Sequence, residues 1–506
     1  MHLIRPFLFI VVAQITLISC AQTDQVKKSA SQQAPLAISE LRADSGFARP
    51  ALANCETDLR FLNQVGGWQV SWPRQWAGTV AAGGESSSAP IDRWIAAPEV
   101  LDNTVAMLRS HIGTAEVAPR SVVLRVHQQT VDLAAQLVAR SSPYVFNGQP
   151  TEGQAQWNQL IRHRIAPAVT RFHRFLEDTY LPAAQPLPGL SAINNGAACF
   201  SHAVLWWNTI NPAPADMKQL GRRILAQTRA GLAATGKDGQ TFEDVLAELR
   251  SYQADNKTTG EQIIALSDRA INRARSAVSA AFLSAATHDI QVVEMPKHVQ
   301  ASFPAGRYIS RQGSGGSASY SLNTSRPNER RIMAEVIAFH EGIPGHHLFA
   351  AYPRAEPLSG YNSGFLEGWA IYAEYLSAEL GLYSTRLDRR GRLAKHLWAA
   401  SRLLVEPGLH VDGWTREQAI EFMLSNTILS RTEIEIEVDR YIAMPGQSLS
   451  YMLGANFILS QRKRAWDVLG ERFDLASFHH QVLSRGVQTL PELRDNISAW
   501  IAETSE

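Results

Sequence analysis

His340-Glu341-Gly342-Ile343-Pro344-Gly345-His346-His347 puts three imidazoles and a carboxylate into one short run. The segment leading into it, Glu329 to His340 after Pro327, carries Met333, Val336, Ile337 and His340 at the i, i+3, i+4, i+7 positions of one helix face. The spacing predicts a helix with His340 turned inward. One histidine on such a stripe is more often a hydrogen-bonded core residue than a ligand, but a cluster of this kind points to a metal ion.

In a His-Glu-x-x-His helix the two imidazoles stand one turn apart on the same face. Here His340 and His346 are about 240° apart around an ideal helix, while His340 and His347 share a face but lie about 10.5 Å apart along the axis. A straight helix brings neither pair onto one ion. Proline removes a backbone donor and glycine tolerates unusual dihedrals, so Pro344 and Gly345 predict a break at Ile343 to Gly345 that swings His346 beside His340. His347 is the alternative ligand.

One zinc ion needs a third protein ligand if a position is to stay open, and it should come from a second element. Glu367 fits: in Gly364-Phe365-Leu366-Glu367-Gly368-Trp369-Ala370-Ile371-Tyr372-Ala373-Glu374 it shares a helix face with Glu374 amid large apolar side chains. The competing reading is an exposed acidic stripe continued by Glu379. Glu374 is expected as the acceptor that orients a ligating histidine.

Outward from this region the chain reads at helical period, as in Thr151 to Tyr180, Met217 to Thr235, Thr259 to Ala286 and Arg386 to Leu404. The expected class is mainly α, with a small β element in Asp289 to Asn323 formed by Gln291–Glu294 and Ser319–Leu322. Ala81 to Pro90, Pro182 to Asn195 and Arg311 to Ser319 read as loops inside a domain. Residues 40–506 are therefore expected to form a single large helical domain. At 45% hydrophobic composition it has ample material for a core, and a net charge of +1 without a basic run excludes a nucleic-acid footprint.

The N-terminus has the pattern of an export signal: Arg5, an apolar run from Pro6 to Ser19, and Leu17-Ile18-Ser19-Cys20. The run is too short to span a membrane. Its end resembles the lipobox of bacterial lipoproteins, which implies a signal peptide over 1–19, lipidation of Cys20 and a polar tether over 20–39. The protein would then be exported and lipid-anchored in the cell envelope, facing the periplasm from the outer membrane in a Gram-negative cell. An ordinary cleaved signal with an incidental cysteine is the alternative. Cys55 and Cys199 remain as a pair that either bonds or stays buried and reduced.

The combination of Phe339 to His347, Phe365-Leu366-Glu367-Gly368-Trp369-Ala370, Arg440-Tyr441, Pro445-Gly446-Gln447 and Tyr451 resembles the bacterial domain of unknown function 885 family, from about Glu40 to the C-terminus. That family is distantly similar to helical zinc peptidases of the carboxypeptidase Taq and thimet oligopeptidase groups. The resemblance implies a peptidase-like fold, with His346 and Glu367 completing the ligand set.

On this reading the protein is a zinc-dependent hydrolase of peptides or small amides. Zinc in such a site activates a water, with a pKa near about 7, and polarises a carbonyl. Glu341 is the expected general base. Tyr451 resembles the tyrosine of the carboxypeptidase Taq group and is expected to donate to the oxyanion; Tyr441 and His410 are alternatives. Arg440 either clamps a substrate carboxylate or pairs the acids before it. Tyr320 and Asn323 would lie on an edge strand that holds an extended peptide. Rival readings are a zinc hydrolase of a non-peptide amide or ester, a non-catalytic binding lipoprotein, and a serine hydrolase using Gly313-Ser314-Gly315-Gly316-Ser317, which has no strand-turn-helix context.

Overall fold

Apolar spacing and threonine caps set most of the helices. Thr151, Thr241, Thr259, Thr415 and Thr489 each close a capping box at a helix start, meeting two otherwise orphaned backbone donors. The computed structural model describes Cys55 and residues 58–506, except 82, 84–88, 285, 287, 296, 301–304, 311–316, 356–357 and 359. The signal, Cys20 and the tether lie outside the described residues, as does most of the Gly/Ser run at 311–316. Among the described residues no helix is long and apolar enough to cross a membrane. Cys55 and Cys199 are both disulfide-bonded, which settles the choice left open by sequence.

The contacts divide the chain into two compact units, with the boundary between Gly196 and Ala197, where the sequence suggests one body. The loop before this boundary has the same composition as loops within a domain, so no linker signal marks it. In the first unit, α1 (Arg120–Val138) buries Val122, Val123, Val126, Leu133 and Leu137. α2 (Ala166–Phe175) buries Val169 and Phe172, and runs directly into a π-helical turn, Leu176–Tyr180. A cluster of Trp68, Trp72, Trp76 and Trp94 with tilted and edge-on rings joins this core, Trp68 meeting Phe172 edge-on at 5.1 Å.

The second unit holds the small sheet and the longest helices. Strands β1 (Ile290–Glu294) and β3 (Ala318–Leu322) form where the sequence places them, and they pair in parallel. A third strand, β2 (Gly306–Ile309), adds antiparallel to β3. It is too short to show alternation. The strand order β1-β3-β2 makes β3 central, which corrects the expectation for Tyr320 and Asn323: they do not stand on an edge. Tyr320 is buried in the middle strand, and Asn323 closes the turn after it, its carboxamide donating to Gln300 O and accepting from Ser325 N.

α3 (Gly260–Ala277) and α4 (Ala334–Glu341) pack on the sheet, and the same unit holds α5 (His346–Ala351), α6 (Ser363–Glu379), α7 (Arg386–His410), α8 (Arg431–Ala443) and α9 (Ser450–Leu469). α4 is not one-sided as its stripe suggests; all eight of its residues are buried because α3, α6 and α7 enclose it. Its polar members are satisfied individually, Glu335 by Arg273 at 2.8 Å and by Ser384.

Candidate metal centre

α4 ends at Glu341 and α5 begins at His346, with Gly342 to Gly345 folding the chain back between them. Gly345 N donates to Phe339 O at 2.9 Å, and His347 N to Gly342 O at 3.1 Å. A Cβ on Gly345 would stand 1.9 Å from His340 O, so the return is open only to glycine. Trp369 Nε1 donates to Pro344 O and Gly345 O at 3.1 and 3.2 Å, tying the fold-back to α6. The Ile343–Pro344 peptide is cis.

The break sets the His340 and His346 rings edge to face, with centroids 4.9 Å apart. Glu367 reaches them from α6: its Oε2 lies 3.2 Å from His340 Nε2 and 3.6 Å from His346 Nε2. One ligand atom from each of the three residues lies within 4.8 Å of the other two, and all three side chains are buried. His347 points elsewhere, with Nε2 2.9 Å from His288 O and Nδ1 3.4 Å from the Tyr308 hydroxyl.

Two observations fit this donor set to a divalent ion. His346 Nε2 and Glu367 Oε1 are buried without a hydrogen-bond partner, although both atoms normally demand one. Two imidazoles and a carboxylate are also the ligand types of a catalytic zinc site.

Glu374 binds the far side of His340, its Oε1 2.8 Å from Nδ1, and meets His396 Nε2 at 3.0 Å. Lys395 Nζ approaches the same carboxylate at 3.7 Å. Burial pushes Glu374 up, but Lys395, His340 and His396 more than reverse this and hold it well below the usual carboxylate range. Glu367 is likewise pushed up by burial and held low by His340 and His346. For His340, burial acts downward, and the bonds to Glu367 and Glu374 outweigh it, raising its pKa to about 9.

Glu341, also buried, accepts from Tyr308 N at 2.7 Å, so the strand beside it is β2. The Tyr451 ring lies nearly parallel to His340, centroids 6.0 Å apart. Burial, then the charge of Glu367, pushes its hydroxyl far above its ordinary range, so it remains a donor.

The other candidates are engaged with other partners. Arg440 is committed to Glu437 at 2.8 and 3.2 Å and to Gln447, the acid-pairing half of its two readings. The Tyr441 hydroxyl accepts from Arg402 and Trp398. His410 is stacked on Phe200, 3.2 Å from Tyr441 O.

Lys395, His396 and Arg402 were missed by motif reading. Arg402 lies over the Tyr451 ring at 4.4 Å. The signal available was three basic side chains inside the otherwise apolar run Ala394 to Leu404.

Among the solved chains that share the fold, two are described as a "putative lipoprotein". The one from Colwellia psychrerythraea has 23% identity and a TM-score of 0.78, covering 87% of this chain and 80% of that one. The one from Shewanella oneidensis, of unknown function, has 18% identity and a TM-score of 0.63, covering 85% and 84%. No curated protein matches the chain. The model of the bacterial proteins of unknown function termed DUF885 matches residues 19–497, and the chain belongs to that family.

Proposed function

We propose that the protein is a zinc-dependent hydrolase of peptides, held at the cell envelope by a lipid on Cys20. The observation that carries the reading is the convergence of His340, His346 and Glu367 with two buried ligand atoms left unpartnered, at the helix end that also carries Glu341. His340, His346 and Glu367 would hold the ion, which when bound supplies Lewis-acid activation of water and of a carbonyl oxygen.

The chain's own residues account for the rest. Glu341, with one oxygen fixed by Tyr308 N–H, takes the proton of the attacking water and returns it to the leaving amine. Tyr451, kept protonated by burial, donates to the oxygen on which charge develops. Glu374 fixes the orientation of His340, and Lys395 offsets part of the negative charge gathered there. β2 is an edge strand whose Tyr308 N–H is taken by Glu341, and its remaining outward backbone groups would hold an extended substrate, the role that the sequence suggested for β3.

A peptide-library digest by purified protein of measured zinc content tests the proposal. Cleavage that is lost on chelation and in Glu341→Gln supports it. A zinc-loaded protein that cleaves no peptide but does hydrolyse non-peptide amides or esters would replace the substrate class. Release of Cys20→Ser from membranes tests the anchor, and unchanged retention rejects it.

A further inference from the structure

Among the described residues, a second group of potential metal ligands stands in the first unit, built from His127, His173 and Glu177. α1 carries His127 and α2 carries His173; Glu177 follows one turn on, in the π-helical segment Leu176–Tyr180. One ligand atom from each lies within 4.8 Å of the other two. His127 Nε2 is 3.7 Å from Glu177 Oε2, and the two rings meet edge-on at 6.1 Å. Ligands bonded to a tetrahedral zinc at 2.0–2.1 Å stand about 3.4 Å from one another, so little inward movement is needed.

The second observation is one of missing partners. His127 Nε2 and His173 Nδ1 are both buried atoms without a hydrogen bond. Buried polar atoms are nearly always paired, and two unmet imidazole nitrogens beside one carboxylate form a ready set of lone pairs. The local backbone agrees, because π-helical turns concentrate at functional positions, where they re-aim side chains.

We propose that His127, His173 and Glu177 bind a second divalent transition-metal ion, with zinc the matching probe, and that this ion staples α1 to α2 and its π-helical extension. The site is independent of the His340 centre. It uses no residue of that centre and requires no hydrolysis.

The test is made on the full chain carrying His340→Gln, stripped with a chelator and titrated with zinc against a chromophoric competitor, with melting temperature as a second readout. The expected result is one zinc retained per chain and a rise in melting temperature on loading. Adding His127→Gln or Glu177→Gln should weaken that binding at least about tenfold, the loss that even outer partners of a metal site produce. Glu177 is 60% exposed, so its replacement leaves folding intact. A His340→Gln protein that binds no zinc overturns the proposal. So does binding that neither additional substitution changes. Failure of the hydrolase reading leaves these readouts untouched.

Discussion

Glu341 follows His340 in the chain and Tyr451 stacks on its ring, yet under the proposed mechanism they should fail differently when altered. Glu341→Gln removes proton transfer but leaves His340, His346 and Glu367 in place, so zinc content should hold while kcat falls by roughly 10²–10⁴. Tyr451→Phe should also keep the zinc and lower kcat by about 10²–10³, provided the hydroxyl meets the developing oxyanion. A fall confined to KM would instead make Tyr451 a binding residue. Glu374→Gln differs from both, because the bond at 2.8 Å orients His340 rather than touching substrate. Its expected effect is a zinc affinity about 10–100-fold weaker, read by chelator competition. Sequence made the convergence of His340 and His346 legible because Pro344 and Gly345 announce a break between two histidines. It hid the cationic partners of Glu374 and Tyr451, since Lys395 and Arg402 have the same letters whether solvated or buried.

The decisive contact between elements is the crossing of α6 and α9. A Cβ on Gly454 would stand 1.8 Å from Gly364 O, and one on Gly368 would stand 2.5 Å from Gly454, so backbone meets backbone here. Glu367 and Tyr451 lie beside this crossing, and the approach of the helices fixes their distance from His340. Gly454→Ala is expected to destabilise by about 1–3 kcal/mol through overpacking. It should also lower kcat by moving Tyr451, measured by urea unfolding and by kinetics below the transition. Unchanged stability would show that α9 slides without cost. Apolar spacing made helix legible over Thr151 to Tyr180, Met217 to Thr235, Thr259 to Ala286 and Arg386 to Leu404. β2 was not, because four residues of which the first is a glycine carry no period. The one-sided face expected of α4 was not borne out either: periodicity cannot report that neighbours from three directions enclose a helix.

Across the second unit, buried histidines make folding depend on pH. His479 is held neutral, Nδ1 donating to Ala281 O at 2.6 Å and Nε2 meeting the Tyr372 hydroxyl at 2.6 Å, with Phe282 stacked on its face. Burial drives its pKa down to about 3, and burial also takes His410 to about 4. In both cases the unfolded chain takes up the proton first, so stability is fully present above the unfolded pKa near about 6.5 and is lost as pH falls toward the folded value. Glu406 opposes them: burial raises it to about 7, which adds stability as pH falls from there toward about 4.5. In the metal-free protein His340 acts elsewhere, because its raised pKa stabilises fully below about 6.5 and loses that effect only as pH climbs through about 9. Comparing wild type with His479→Leu at each pH cancels the other groups and isolates one imidazole. At pH 7 the variant should be less stable by about 1–3 kcal/mol, since Ala281 O and the Tyr372 hydroxyl lose their partner. The gap should narrow steadily below about pH 6.5 as the unfolded wild type gains a proton on His479 that its fold does not accept. A gap equally wide at neutral pH and in acid would mean that His479 accepts a proton within the fold, and that its two hydrogen bonds do not hold it neutral.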